Sequence, residues 1–225
     1  MSVCVYALAT RGARTSAVRG IGGEKLRAIA VDRLDVIVGD VSRRPRPTDA
    51  SLLRYDRILT RLWAQNRALL PVRFGTVVRD PSEVDLMLGQ APDALREQLA
   101  SVRDRAQMTI LVLRSPRPRN RLSRQSPKSG TEYLRAAQAA RDVPGLAPLR
   151  AVLGRWVRGE RVETRGAIAS VYHLIPRGAV GPYRAAAVRA GKDAGIPLRV
   201  LGPRPPYAFA DPVAIQLMRH GEAAH

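Results

Sequence analysis

Histidine and cysteine, the usual carriers of nucleophilic, proton-transfer and metal chemistry, are scarce in this sequence: His173, His220 and His225, and Cys4 alone. His173 sits in the strand-like run ASVYHLI, which predicts a hydrogen-bonded strand residue rather than a ligand or base; the other two lie in a polar tail. No cysteine or histidine pair has metal-ligand spacing. Cys4 lies inside the apolar run VCVYAL, where a small buried core residue is expected. Gly20, Gly22 and Gly23 precede a strand instead of joining a strand to a helix, so they read as a flexible loop and not a phosphate cradle. A G-x-S-x-G nucleophile elbow is also missing. Acids mostly stand beside arginines, as in Arg103-Asp104-Arg105 and Arg158-Gly159-Glu160-Arg161, a pattern of surface ion pairs and not of a carboxylate dyad. Arg73 and Phe74 share a bend between Pro71 and Gly75, where an anion clamp is conceivable. The structural reading is preferred: Phe74 in the core, Arg73 pairing with an acid or with free carbonyls. These residues predict no catalytic group, no metal and no cofactor.

A second conspicuous stretch is LGPRPPYAFAD, residues 201–211. Pro203 and Pro206, with Arg204 between them, have the spacing of a polyproline ligand for a foreign domain. The stretch directly follows a strand-like run, which favours a segment of the protein's own fold. Tyr207 and Phe209 would anchor it to the N-terminal half near the Arg73 bend, with the prolines lowering the entropy cost of docking.

The formal net charge of +19 attracts polyanions in principle. Almost all of it is arginine, spread along the whole chain in an alanine-rich background, as a GC-rich coding bias would produce. Aromatics make up only 4% of residues, too few for the stacking platforms of single-strand binders. Binding of nucleic acid through an arginine-rich linker therefore ranks as the alternative function. The N-terminus lacks the basic start and long apolar core of a signal peptide, and no run reaches the roughly 18 apolar residues of a membrane span. A cytoplasmic protein with no membrane partner is expected.

Elements that would position these residues follow from periodicity. Residues 2–10 read as a strand, and 26–31 and 34–41 as a hairpin turning at Asp32 and Arg33. Thr48 or Asp49 caps a helix over 50–66, with Leu52, Tyr55, Leu59, Leu62 and Trp63 on one stripe. LLPVRFGTVV is extended, Asp80 and Pro81 open a second helix, residues 92–105 form a third, and 108–113 form a continuous apolar strand. Residues 114–130 hold prolines, serines and six basic residues without an acid, and read as an exposed linker. Helices over 131–141, 148–157 and 182–190 then alternate with strand-like runs near 162–164, 167–175 and 198–201. The expected fold is α+β: an N-terminal domain over 1–113, the linker 114–130, a C-terminal domain over 131–201, and a docking segment and tail over 202–225. At least one of the two small domains is expected to be ferredoxin-like, and the C-terminal segment to pack back on the N-terminal domain.

Phrases in one order carry a resemblance. LLPVRFGTVV, with Pro71, Arg73, Phe74, Gly75 and Thr76, resembles the LPMRFGT phrase of the gas vesicle GvpL/GvpF family. SGTEYL, with Ser129, Gly130, Tyr133 and Leu134, is similar to its SGxxYL helix. GPRPPYAF, with Gly202, Pro203, Pro205, Pro206, Tyr207 and Phe209, is similar to its terminal GPWPPYSF, with Arg204 where the family usually has tryptophan. Tyr55 stands where many members carry a histidine. The resemblance implies a non-enzymatic accessory or minor structural protein of gas vesicle assembly. It implies two α+β domains, no cofactor, and as partners the small hydrophobic shell protein GvpA and other assembly proteins.

Overall fold

The computed structural model describes residues 2–88, 92–113 and 146–210. The described residues divide into two compact units, those up to residue 106 together with 204–210, and those between 107 and 203. Both mix strands and helices. The sequence-derived linker 114–130 and the SGTEYL phrase lie outside the described residues.

The first unit is built on β1 (Ser2–Thr10), whose residues from Val3 to Ala9 are all buried. A strand covered on both faces needs a continuous apolar run instead of alternation, and VCVYALA supplies one. β2 (Leu26–Val31) and β3 (Leu34–Val41) form the expected antiparallel hairpin, with Asp32 at φ +48° in the turn, a conformation aspartate tolerates well. The sheet runs β2-β3-β1-β4, where β4 is Leu69–Pro71, and β5 (Val77–Val78) also pairs with β1. α1 (Asp49–Gln65) starts at a reciprocal cap: Ser51 N donates to Thr48 Oγ1 at 3.2 Å and Thr48 N to Ser51 Oγ at 2.8 Å. It buries Tyr55, Ile58, Leu59, Leu62 and Trp63. Leu52 belongs to the same stripe by spacing but is 44% exposed. Periodicity gives the face of a helix and not how far the cover beneath it extends. α2 (Pro81–Leu88), capped by Asp80 Oδ1 on Ser82 N at 2.8 Å, and α3 (Pro92–Val102) complete the unit.

The second unit contains most of β6 (Arg105–Leu113), then α4 (Leu146–Leu153), β7 (Gly159–Arg165), β8 (Ile168–Pro176), α5 (Val180–Asp193) and most of β9 (Leu198–Arg204). Its sheet order is β7-β8-β6-β9, with β7 and β8 an antiparallel hairpin. Met108, Ile110 and Val112 alternate inward from β6 and meet Leu146, Leu149 and Leu153 of α4 and Tyr183 and Ala187 of α5. The expected helix over 148–157 begins earlier and stops before Gly154, a weak helix former. Trp156 lies beyond its end, packed on the core under the Arg155 guanidinium, 3.9 Å from the ring centre. No helix among the described residues is long and apolar enough to cross a membrane.

Gly202 is required by space as well as by conformation. Its φ is +114°, and a Cβ there would lie 2.7 Å from the Gln107 carbonyl oxygen and 2.9 Å from Met108 Sδ. Gly202→Ala is therefore expected to lower the stability of the second unit by about 2 kcal/mol or more. Chemical denaturation followed by Trp156 fluorescence checks this, and an unchanged midpoint would contradict it.

Candidate functional site

The RFGT phrase is an excursion from a single line of pairing along β1. β4 pairs with Ala7, Leu8 and Ala9, and β5 with Val3 and Cys4. Between them Val72 N donates to the Tyr6 carbonyl at 3.0 Å, and Val5 N donates to the Thr76 carbonyl at 2.9 Å. Residues 73–75 are thereby pushed out of the ladder. Thr76 closes the bend, its hydroxyl donating to the Arg73 carbonyl at 2.9 Å. Gly75 sits at φ +75°, which favours glycine, and its carbonyl accepts Arg44 Nε at 2.9 Å. Arg44, from the RRPRPTD loop, thus takes the role expected of Arg73. Arg73 is exposed, and its guanidinium makes no ion pair among the described residues. Phe74 is half-buried, not fully in the core.

Tyr55 of α1 holds the bend from below. Its ring stacks on Tyr6 at 5.5 Å and meets the edge of Phe74 at 5.3 Å. Its hydroxyl lies 2.9 Å from the Val72 carbonyl, to which it donates, and 3.3 Å from that of Tyr6. Burial, with smaller effects from Cys4 and Tyr207, keeps this phenol neutral far above the ordinary tyrosine range.

The next residue of α1, Asp56, receives the C-terminal phrase. Arg204 Nη1 donates to both carboxylate oxygens at 2.8 Å, and Tyr207 Oη donates to Oδ1 at 3.0 Å. Pro205 and Pro206 are buried, and the short 3₁₀ helix Tyr207–Phe209 packs on β4. Burial and the neighbouring Asp56 charge raise the Tyr207 phenol well above its ordinary value. The two phrases therefore meet on adjacent residues of one helix: Tyr55 under Phe74, Asp56 on Arg204 and Tyr207. Pro71 ends β4 opposite Ala7, while Gly202 and Pro203 belong to the second unit.

The family model described as "Gas vesicle synthesis protein GvpL/GvpF" matches residues 2–211. The chain belongs to the GvpL/GvpF family. Among solved structures, the gas vesicle protein GvpF from Microcystis aeruginosa superposes with a TM-score of 0.74 at 15% identity, covering 93% of this chain and 99% of that one. GvpF from Anabaena sp. PCC7120 superposes with a TM-score of 0.74 at 16% identity, covering 93% and 96%. At that identity the likeness concerns the fold. No curated protein matches the chain.

Among the described residues of this GvpL/GvpF member, Cys4, Glu24, Glu160 and His173 are engaged in structure, while His220 and His225 lie outside the described residues. Cys4 is buried, and burial pushes its thiol up to about 12, where it is no nucleophile. The glycine cluster closes around Glu24, whose carboxylate takes Gly22 N at 2.8 Å and the Tyr6 hydroxyl. Among the described residues, no group of three histidine, cysteine or acidic side chains is placed to hold a metal.

In the second unit Glu160 departs from the local surface pair its sequence suggests. It accepts Arg150 Nη2 at 2.7 Å and His173 Nε2 at 2.9 Å, while His173 Nδ1 lies 2.6 Å from the Tyr183 hydroxyl. The carboxylate fixes the proton on Nε2, leaving Nδ1 to accept from Tyr183. Burial lowers the His173 pKa despite Glu160; for Glu160, burial is outweighed by hydrogen bonds from Arg150 and His173, and its pKa falls. Both shifts have the same consequence for stability. The unfolded chain takes up protons at the ordinary histidine and carboxylate values, the folded chain only at lower pH. Stability is thus lost on acidification, first as pH falls below about 6.5 and further through the carboxylate range. The NMR resonance removed by His173→Phe is expected to titrate below the ordinary histidine value; a midpoint at or above it would contradict the buried neutral ring.

Proposed function

We propose that this protein is a non-enzymatic accessory or minor structural protein of gas vesicle assembly that binds the hydrophobic shell protein GvpA and other assembly proteins in the cytoplasm. The observation that carries the reading is the family match across residues 2–211. A binding role rather than a catalytic one is supported by the state of the reactive groups: Cys4 and His173 are buried, and Glu24 and Glu160 are held by hydrogen bonds. Within the same reading the second unit is ferredoxin-like. Its described order β6-α4-β7-β8-α5-β9, with β6 between β8 and β9, supports that assignment. The motif residues Pro71, Phe74, Gly75, Thr76, Pro205, Pro206, Tyr207 and Phe209 are then structural, shaping one surface of the first unit, and Ser129, Gly130, Tyr133 and Leu134 belong to the same family pattern. Affinity purification of the tagged full chain from vesicle-forming cells tests the proposal. Shell and assembly proteins are expected to co-purify; their absence under conditions that retain a known assembly complex would overturn it.

A further inference from the structure

One place in this protein gathers exposed arginines beside exposed apolar side chains. Arg43 and Arg46 of the loop before α1 are exposed, as is Arg73, and none makes an ion pair among the described residues. The loop is fixed against the bend. Arg44 Nε holds the Gly75 carbonyl, and the Pro45 carbonyl oxygen lies 3.8 Å from where a Gly75 Cβ would stand. The first turn of α1 is fixed to the same loop, with Ser51 Oγ donating to the Arg46 carbonyl at 2.7 Å and Leu52 N to the Thr48 carbonyl at 2.9 Å. That turn carries Leu52 and Leu53, 44% and 59% exposed. Asp56, one turn on, is already occupied by Arg204 and Tyr207, which leaves Asp49 as the single acid in the stretch from Arg43 to Tyr55.

We propose that this surface docks an acidic amphipathic segment of a partner protein, its carboxylates on Arg43, Arg46 and Arg73 and its apolar side on Leu52 and Leu53. The inference rests on the assembly reading above and adds to it the surface and the chemistry of the partner. Guanidinium groups on a hydrogen-bonded loop and bend suit carboxylates, which they pair in a directed, often bidentate way. A nucleic acid would find phosphate contacts here but no stacking platform: Phe74 is half-buried with its ring against Tyr55, and aromatics are rare. Leucines contribute nothing to phosphate binding, whereas an amphipathic segment covers them. An acidic membrane recruits longer basic clusters than this loop provides.

The test uses the purified full chain and a fluorescein-labelled peptide with glutamates on one helical face and leucines on the other. A glutamine-for-glutamate peptide, single-stranded oligodeoxythymidine and phosphatidylserine vesicles are the comparisons. The glutamate peptide is expected to bind best, and Arg43→Glu, Arg46→Glu and Arg73→Glu combined to weaken it by about tenfold or more. Leu52→Ser with Leu53→Ser is expected to weaken it severalfold. The exposed Arg189 and Arg199 of the second unit, reversed to glutamate, are expected to leave it unchanged. Equal binding of the glutamine peptide, an equal loss from the Arg189 and Arg199 reversals, or tighter binding of oligonucleotide or vesicles that ignores the leucine variants would each overturn the proposal. An unchanged Trp63 unfolding transition verifies that the variants remain folded. Binding is read on purified protein and the assembly role in cells. Absent peptide binding alongside vesicle loss on gene deletion overturns the surface alone; normal vesicles on deletion overturn the assembly reading alone.

Discussion

A chain ending after Pro203 is expected to lose about 4 kcal/mol or more of stability in its first unit. The deletion removes the buried Pro205, Pro206 and Ala210 and the half-buried Tyr207 and Phe209. A loss of that size is a large share of the roughly 5–15 kcal/mol that holds a typical domain. Apolar burial dominates, because the Arg204–Asp56 pair is half exposed on the arginine side, and such pairs contribute about 1 kcal/mol or less. Arg204→Ala should therefore have a small effect and Tyr207→Ala a larger one, about 2 kcal/mol, through its lost ring contacts and its bond to Asp56. The two tryptophans make the measurement clean. Trp63 lies in α1 of the first unit and Trp156 in the second, so replacing Trp156 with phenylalanine leaves a reporter of the first unit alone. The Trp63 transition is expected at lower denaturant in the shortened chain. An unchanged midpoint would contradict docking of the C-terminal segment on the first unit.

The second large effect belongs to Tyr55. Tyr55→Ala is expected to cost about 3–5 kcal/mol, since it leaves a cavity between Tyr6 and Phe74. Tyr55→Phe keeps the ring and removes only the hydroxyl, leaving the Val72 carbonyl without this donor, and is expected to cost about 1–2 kcal/mol. The same Trp63 transition ranks the two. Equal stability of Tyr55→Phe and wild type would show that the bend does not need the hydroxyl, and a small effect of Tyr55→Ala would show that the aromatic column does not support it.

Local elements were legible because their causes are local. The apolar run of β1, the turn at Asp32, the Thr48 cap and the stripe from Tyr55 to Trp63 each follow from residues within a few positions of one another. The return of the C-terminal phrase was legible from its prolines and from its adjoining strand. Its receptor was not: Asp56 is 148 positions from Arg204, and nothing near Asp56 announces a partner so distant. β6 shows a similar limit. MTILVL declares a strand but not which sheet it joins, and the division between the units falls at residue 106, inside a strand the sequence reading gives whole to the first domain. The Arg73 bend was marked by Pro71 and Gly75, but which arginine satisfies its carbonyl depends on a loop from elsewhere in the chain, and Arg44 does so. Glu160 reads as a neighbour of arginines until the β7–β8 pairing places it opposite His173.

Deletion of the gene from a vesicle-forming host tests the assembly role most directly, with vesicles counted by electron microscopy and by pressure-sensitive light scattering. Loss of vesicles, restored when the full chain is supplied in trans, is the expected result. Normal vesicles in a deletion strain that carries no second GvpL/GvpF gene would contradict it.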